Sequence, residues 1–154
     1  MKKLFSLLFL AAVCSMALVS CGSDDDEPAQ PVKTNIESAH ETESETYFQF
    51  DINTESDSSS IYMYNIVFTI GDNVSPAMTI RVDAPLVVDK TGKIFIYSGT
   101  GINPYMLMGS RMIQLTDDAY KVNNLNCIVN TKDQTYDISF DCHGGHYEKN
   151  GKLK

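Results

Sequence analysis

Residues 125–142 read LNCIVNTKDQTYDISFDC, and two apolar alternations of opposite parity meet in this stretch across a polar loop. Leu125, Cys127 and Val129 occupy odd positions, whereas Tyr136, Ile138, Phe140 and Cys142 occupy even ones. A period of two marks a strand with one buried face, because successive side chains leave a strand on opposite sides. Lys132, Asp133, Gln134 and Thr135 supply the loop. Pairing Thr131 with Tyr136 sets odd residues against even ones, so every apolar side chain named above falls on one face. Asn126, Ile128, Asn130, Asp137, Ser139 and Asp141 fall on the other. The stretch predicts an antiparallel hairpin.

The same period extends upstream. Residues 46–53 alternate, with Phe48, Phe50 and Ile52 on one face and Tyr47, Gln49 and Asp51 on the other. After a Ser-rich turn at 57–60, residues 61–70 place Tyr62, Tyr64, Ile66, Phe68 and Ile70 on one side. The opposite side (Ile61, Met63, Asn65, Val67, Thr69) is also partly apolar, which points to a central strand. Met78, Ile80 and Val82 alternate with Thr79, Arg81 and Asp83. Residues 86–88 and 93–98 flank Asp89-Lys90-Thr91-Gly92, a turn with Gly where positive φ is needed. Residues 105–112 fit a helical turn or another strand, and no amphipathic stretch is long enough for a helix. About eight short strands, with turn signals roughly every ten residues, predict an all-β, antiparallel fold for residues 46–154: an up-and-down barrel or a β-sandwich. The meander-like spacing favours the barrel. This layout resembles that of calycin-like domains on small Bacteroidota lipoproteins; the resemblance is architectural and rests on no specific motif.

The N-terminal segment carries a different signal. Met1-Lys2-Lys3 is a short positive region, and residues 4–18 form an almost unbroken apolar run, the layout of a secretory signal and short for a membrane span. The run ends Leu18-Val19-Ser20-Cys21, which resembles the lipobox of bacterial lipoproteins. That resemblance implies removal of residues 1–20, a diacylglyceryl group on the Cys21 sulfur and acylation, for instance by palmitate, of the new amino terminus. Two or three acyl chains, at ~0.8 kcal/mol per buried methylene, hold far more firmly than one. The plainer alternative is an ordinary signal peptide that ends near a Cys. Asp24, Asp25, Asp26 and Glu27 follow, and such an acidic run resembles the surface-export signal of Bacteroidota lipoproteins. It implies an outer-membrane protein facing the cell exterior; the plainer alternative is a spacer. Residues 22–45 hold eight acids, one Lys, no aromatic, and only Val32 and Ile36 as large aliphatics. Residues 21–45 are therefore expected to be a disordered tether.

Charge narrows the partners. The chain has 12 basic and 20 acidic side chains, a formal charge of −8, while residues 46–154 carry nine basic and twelve acidic side chains. A mildly acidic domain without clustered Lys and Arg does not suit nucleic acid or a second membrane contact.

Within the domain, Cys127 and Cys142 lie on the same hairpin face as diagonal neighbours. They form either a disulfide, if the register slips by two residues, or two buried free thiols. Cys142-His143-Gly144-Gly145-His146 gathers soft ligands, yet it has no partner motif elsewhere, and a Gly-Gly turn explains it more simply. Met106, Met108 and Met112 read as core filler rather than a copper site. Tyr47, Tyr62, Tyr64, Tyr97 and Tyr105 suit a ligand cavity or a sugar-stacking platform less well than packing, because the chain has no Trp. No nucleophile elbow, zinc-protease motif, phosphate loop or calcium loop is present, and Asp117-Asp118 reads as a solvated turn. No cofactor and no metal are expected. The reading is a non-enzymatic, lipid-anchored ligand-binding or accessory domain, its small-molecule, glycan or protein partner open. The alternative is an interaction module of a surface complex, acting through a sheet edge or loops.

Overall fold

The computed structural model describes residues 30–70 and 72–154. Residues 1–20, read above as a signal, Cys21 and the acids Asp24, Asp25, Asp26 and Glu27 lie outside the described residues. Strands, numbered in chain order, make two antiparallel sheets. The first runs β1 (Lys33–Glu37), β2 (Tyr47–Asn53), β3 (Ser59–Ile66), β6 (Met78–Ala84), β9 (Tyr105–Met108), β10 (Arg111–Gln114). The second runs β13 (Gly145–Lys152), β12 (Thr135–Cys142), β11 (Asn123–Asn130), β8 (Ile94–Gly99), β7 (Leu86–Val88). A short hairpin, β4 (Thr69–Ile70) and β5 (Asn73–Val74), stands apart from both.

The two sheets form a sandwich whose inner faces supply one core. Phe48, Phe50 and Ile52 of β2 and Ile80, Val82 and Ala84 of β6 meet Phe95 and Tyr97 of β8, Cys127 and Val129 of β11 and Ile138 and Phe140 of β12. The sheets are joined at several places. Between Ala84 and Leu86 the chain passes from one sheet to the other through Pro85, which has no N–H to lose from a ladder. At another corner Ser38 bridges Leu153, the Ala39 N–H donates to the Lys152 carbonyl at 2.8 Å, and the Lys154 N–H donates to the Glu37 carbonyl at 2.8 Å. The fold is all-β as expected, but the barrel does not close. Strands β3, β6 and β9 are neighbours without being consecutive, since β4–β5 and the excursion through β7 and β8 intervene, so the order is not an up-and-down meander. The sandwich alternative is the observed one.

Several local expectations hold and others need correction. The β11–β12 hairpin buries Leu125, Cys127, Val129, Tyr136, Ile138, Phe140 and Cys142 together. Its register differs by two residues: Val129, not Thr131, faces Tyr136, and Cys127 faces Ile138. An even shift leaves every side chain on its face, which is why alternation alone did not detect it. In β3 the buried side chains are Ile61 and Met63, while Tyr62 and Tyr64 point outward. A register break at Asn65 (φ 52°) then changes the parity, and Ile66 is buried. The tether also ends earlier than expected. Lys33–Glu37 pairs with β2, with Lys33 opposite Asn53 and Glu37 opposite Gln49. The two aliphatics of that acidic stretch, Val32 and Ile36, pack against the core. Ser38 is fully buried, and its Oγ accepts the Phe48 N–H at 2.8 Å.

Candidate functional site

The core leaves one end of the sandwich open. Strand β9 adds to β6 through Ile80–Met106 and Arg81–Tyr105, and β10 pairs back on β9. Met106 and Met108 share the inward side with Ile80, because side chains alternate along a strand. Met108 is 51% exposed although it faces inward, so the hairpin reaches past the packed core. Beneath it lies a cleft of about 620 Å³, lined by Phe68, Asn73, Val74, Ser75, Pro76, Met78, Ile80, Pro104, Met106, Met108, Leu115, Tyr120, Cys142 and His143. That volume is typical of small-molecule sites, and among the described residues no Asp, Glu, Lys or Arg lines it.

Each wall has a local cause. On one side the β4–β5 hairpin is held by Ser75, whose Oγ accepts the Phe68 N–H at 2.9 Å and donates to the Pro76 carbonyl at 3.0 Å. The opposite wall is the β12–β13 turn, where His143 (φ 51°) and Gly144 (φ 77°) form the two-residue, positive-φ connection that matches strand twist. The turn places the His143 ring on Tyr120, with centroids 4.9 Å apart. The Cys142 thiol donates to the Tyr120 carbonyl at 3.3 Å, and burial pushes its pKa up to about 11. It is a neutral thiol at physiological pH.

Residues singled out in the sequence are distributed unevenly around this cleft. Cys127 and Cys142 are free and buried, and no disulfide joins them, because the observed register moves Cys127 away from Cys142. Cys142 and His143 line the cleft, whereas His146 turns to Asp141, its Nδ1 2.7 Å from Oδ1. Hydrogen bonds from Asn124 first, and then from His146, lower the Asp141 pKa. Met106 and Met108 line the cleft together with Met78, while Met112 pairs with Leu107 on the other face. Asp117 caps a 3-10 turn at Asp118–Tyr120 by accepting the Ala119 N–H.

The tyrosines divide into two groups. Tyr97 is buried in the core, which raises its pKa strongly. Tyr47, Tyr62 and Tyr64 stack along the outer face of the first sheet: His40 covers Tyr47 at 4.2 Å, Tyr47 covers Tyr64 at 4.5 Å, and Tyr64 lies 6.3 Å from Tyr62. Arg81, ion-paired with Asp83 at 3.0 Å, caps the Tyr105 ring at 4.1 Å. These rings cover one another instead of offering open faces, an arrangement that suits packing better than sugar stacking.

Phe68, Met78, Pro104, Leu115 and Tyr120 line the cleft without having been singled out in the sequence. Phe68 and Met78 appeared there as ordinary strand residues. Nothing local marks such residues, because the cleft arises where segments far apart in sequence meet.

The chain enters the fold far from this cleft. The Val32 N–H donates to Thr54 Oγ1 at 2.7 Å, and Lys33 sits opposite Asn53. On β6 that end corresponds to Ala84, which faces Ser59, whereas the cleft end corresponds to Met78, which faces Ile66. Seven residues at ~3.3 Å each separate the two ends by about 20 Å. No known protein family matches this chain, and comparisons with curated proteins and with solved structures returned no match. Fold and geometry thus define an antiparallel β-sandwich with a cleft, free of Asp, Glu, Lys and Arg among the described residues, at the end remote from Val32 and Lys33.

Proposed function

We propose that this chain is a lipid-anchored outer-membrane lipoprotein facing the cell exterior, whose non-enzymatic β domain binds a small ligand in the end cleft. The observation that carries the binding part is the cleft itself: a packed core beside an apolar space of about 620 Å³ rimmed by exposed Val74 and Met108. Large apolar groups concentrated at one exposed place are the usual mark of a binding surface. The anchoring part is supported by Leu18-Val19-Ser20-Cys21 and by the acids at 24–27. In this reading the tether from Cys21 reaches the described fold at Val32 and Lys33, at the end of the sandwich remote from the cleft.

Two measurements test this reading. Labelled fatty acid is expected to enter the native protein and not Cys21→Ala, which should appear in the soluble fraction; label retained by that variant would refute the lipobox. The neutral dye Nile red is expected to brighten on the native domain, and absence of binding would refute a ligand cleft. A second reading, an interaction module of a surface complex, is favoured by the β10 edge. There Ile113 and, on β9, Leu107 are 45% and 43% exposed beside the outer edge of β10, which has no partner strand among the described residues. Such an edge is suited to strand addition.

A further inference from the structure

The cleft carries more information than its size. Among the described residues its lining holds three thioethers, Met78, Met106 and Met108, and no Asp, Glu, Lys or Arg. An ionised carboxylate there would find no Lys or Arg in the lining to pair with among the described residues, so it would lose solvation without a countercharge in return. Cys142 adds no charge, since its thiol stays protonated and is already bonded to the Tyr120 carbonyl. Methionine side chains rotate freely and fit irregular apolar shapes, so the lining suits a flexible body better than a rigid one. Polar groups occur at the margin. Asn73 is exposed in β5, and His143 is half-buried at the turn. Neither side chain donates or accepts a hydrogen bond among the described residues, whereas Ser75 is occupied by Phe68 and Pro76.

We propose that the cleft takes the hydrocarbon chain of a neutral amphiphile, with its uncharged hydroxyl, ester or amide end at the mouth beside Asn73 and His143. This proposal rests on the ligand-binding reading above and names the class of ligand. A long-chain carboxylate, of similar length but ionised, is the disfavoured comparison.

The test uses the chain from residue 22 onward, which keeps every described residue. Nile red reports occupancy, and 1-monolauroylglycerol and laurate compete with it at about pH 8, where the carboxylate is ionised. Monolauroylglycerol is expected to displace the dye at a concentration lower by roughly tenfold or more than laurate. Met108→Glu, at a half-exposed position that the core does not need, is expected to weaken dye binding by a similar factor. Leu107→Glu, on the opposite face of the same strand, should leave it unchanged, and far-UV circular dichroism should show both variants folded. Laurate competing as well as monolauroylglycerol would overturn the ligand class while leaving the cleft as the binding site. Dye binding that is indifferent to Met108→Glu, or no dye binding at all, would overturn both the class and the site.

Discussion

Replacing Phe140 by Ala tests the core where its two sheets meet. Phe140 is fully buried; its ring stacks on Tyr147 at 5.1 Å and meets the edge of Phe68 at 6.3 Å. Removing the ring deletes both aromatic contacts and leaves a void between β12 and the segment leading into β4. Large-to-small changes of this kind cost about 3–5 kcal/mol, because the surroundings relax only in part. That is a large share of the ~5–15 kcal/mol that holds a domain of this size together. Ser139, its neighbour on the outer face, is partly exposed and makes no side-chain hydrogen bond among the described residues. Ser139→Ala is expected to cost about 0.5 kcal/mol or less. Urea melts followed by circular dichroism should read the contrast directly. With a slope of about 2 kcal/mol per molar, the Phe140→Ala midpoint falls by roughly 2 M, and that of Ser139→Ala hardly moves. Both variants belong in the chain from residue 22, since starting at Thr46 would remove β1 and expose the β2 edge. Equal losses, or a larger loss for Ser139→Ala, would refute the placement of β12 and with it the shared core.

Three further outcomes follow from local geometry. A Cβ on Gly151 would stand 2.9 Å from Tyr136 Cε1, so Gly151→Ala is expected to destabilise by about 1–3 kcal/mol in the same melts, and an unchanged midpoint would show that the ring does not lie over the glycine. The Asp89 carboxylate accepts from Thr91 Oγ1 at 2.6 Å and from the N–H groups of Thr91, Lys93 and Ile94, which together lower its pKa to about 2. Its folded pKa lies below the ordinary aspartate value, so its contribution is complete above about pH 4 and fades as pH falls towards 2. Asp89→Ala should therefore flatten that part of the stability–pH profile, and an identical profile in the variant would refute the assignment. Cys127 is wholly buried and Cys142 is 6% exposed, both free, so Ellman's reagent should find almost no thiol in the native domain and two after denaturation; no thiol on denaturation would mean a disulfide.

Much of the fold was legible because alternation states which face is buried without stating what lies opposite. Phe48, Phe50 and Ile52 in β2 and the seven apolar residues of the β11–β12 hairpin were placed inward from parity alone, and they are buried. Register was not legible, since an even slip preserves parity; turn chemistry around Gln134 (φ 55°) settles it instead. Asn65 shows the opposite failure, a single left-handed residue that changes parity within one apolar run. Strand β1 was hidden because its stability comes from backbone pairing with β2 and from the burial of Val32, Ile36 and Ser38, not from its own composition. Strand β13 was hidden in the same way: its exposed positions are polar, and Tyr147 is its one large apolar residue.

The cleft was the least legible feature, and the reason bears on function. Methionines at 106 and 108 and the Cys142-His143 pair looked like separate and weak ligand sets, each better explained by packing or by a turn. The sandwich brings them to one cleft, with Met78 of β6 and Phe68 from the segment before β4, and no Asp, Glu, Lys or Arg lines it among the described residues. A site assembled in this way is defined by its shape and its largely apolar lining. On the proposed reading its chemistry is that of holding a ligand: a neutral, flexible chain fits the largely apolar lining, and the Cys142 thiol and the Ser75 hydroxyl are already engaged, by the Tyr120 carbonyl and by the Phe68 N–H and Pro76 carbonyl.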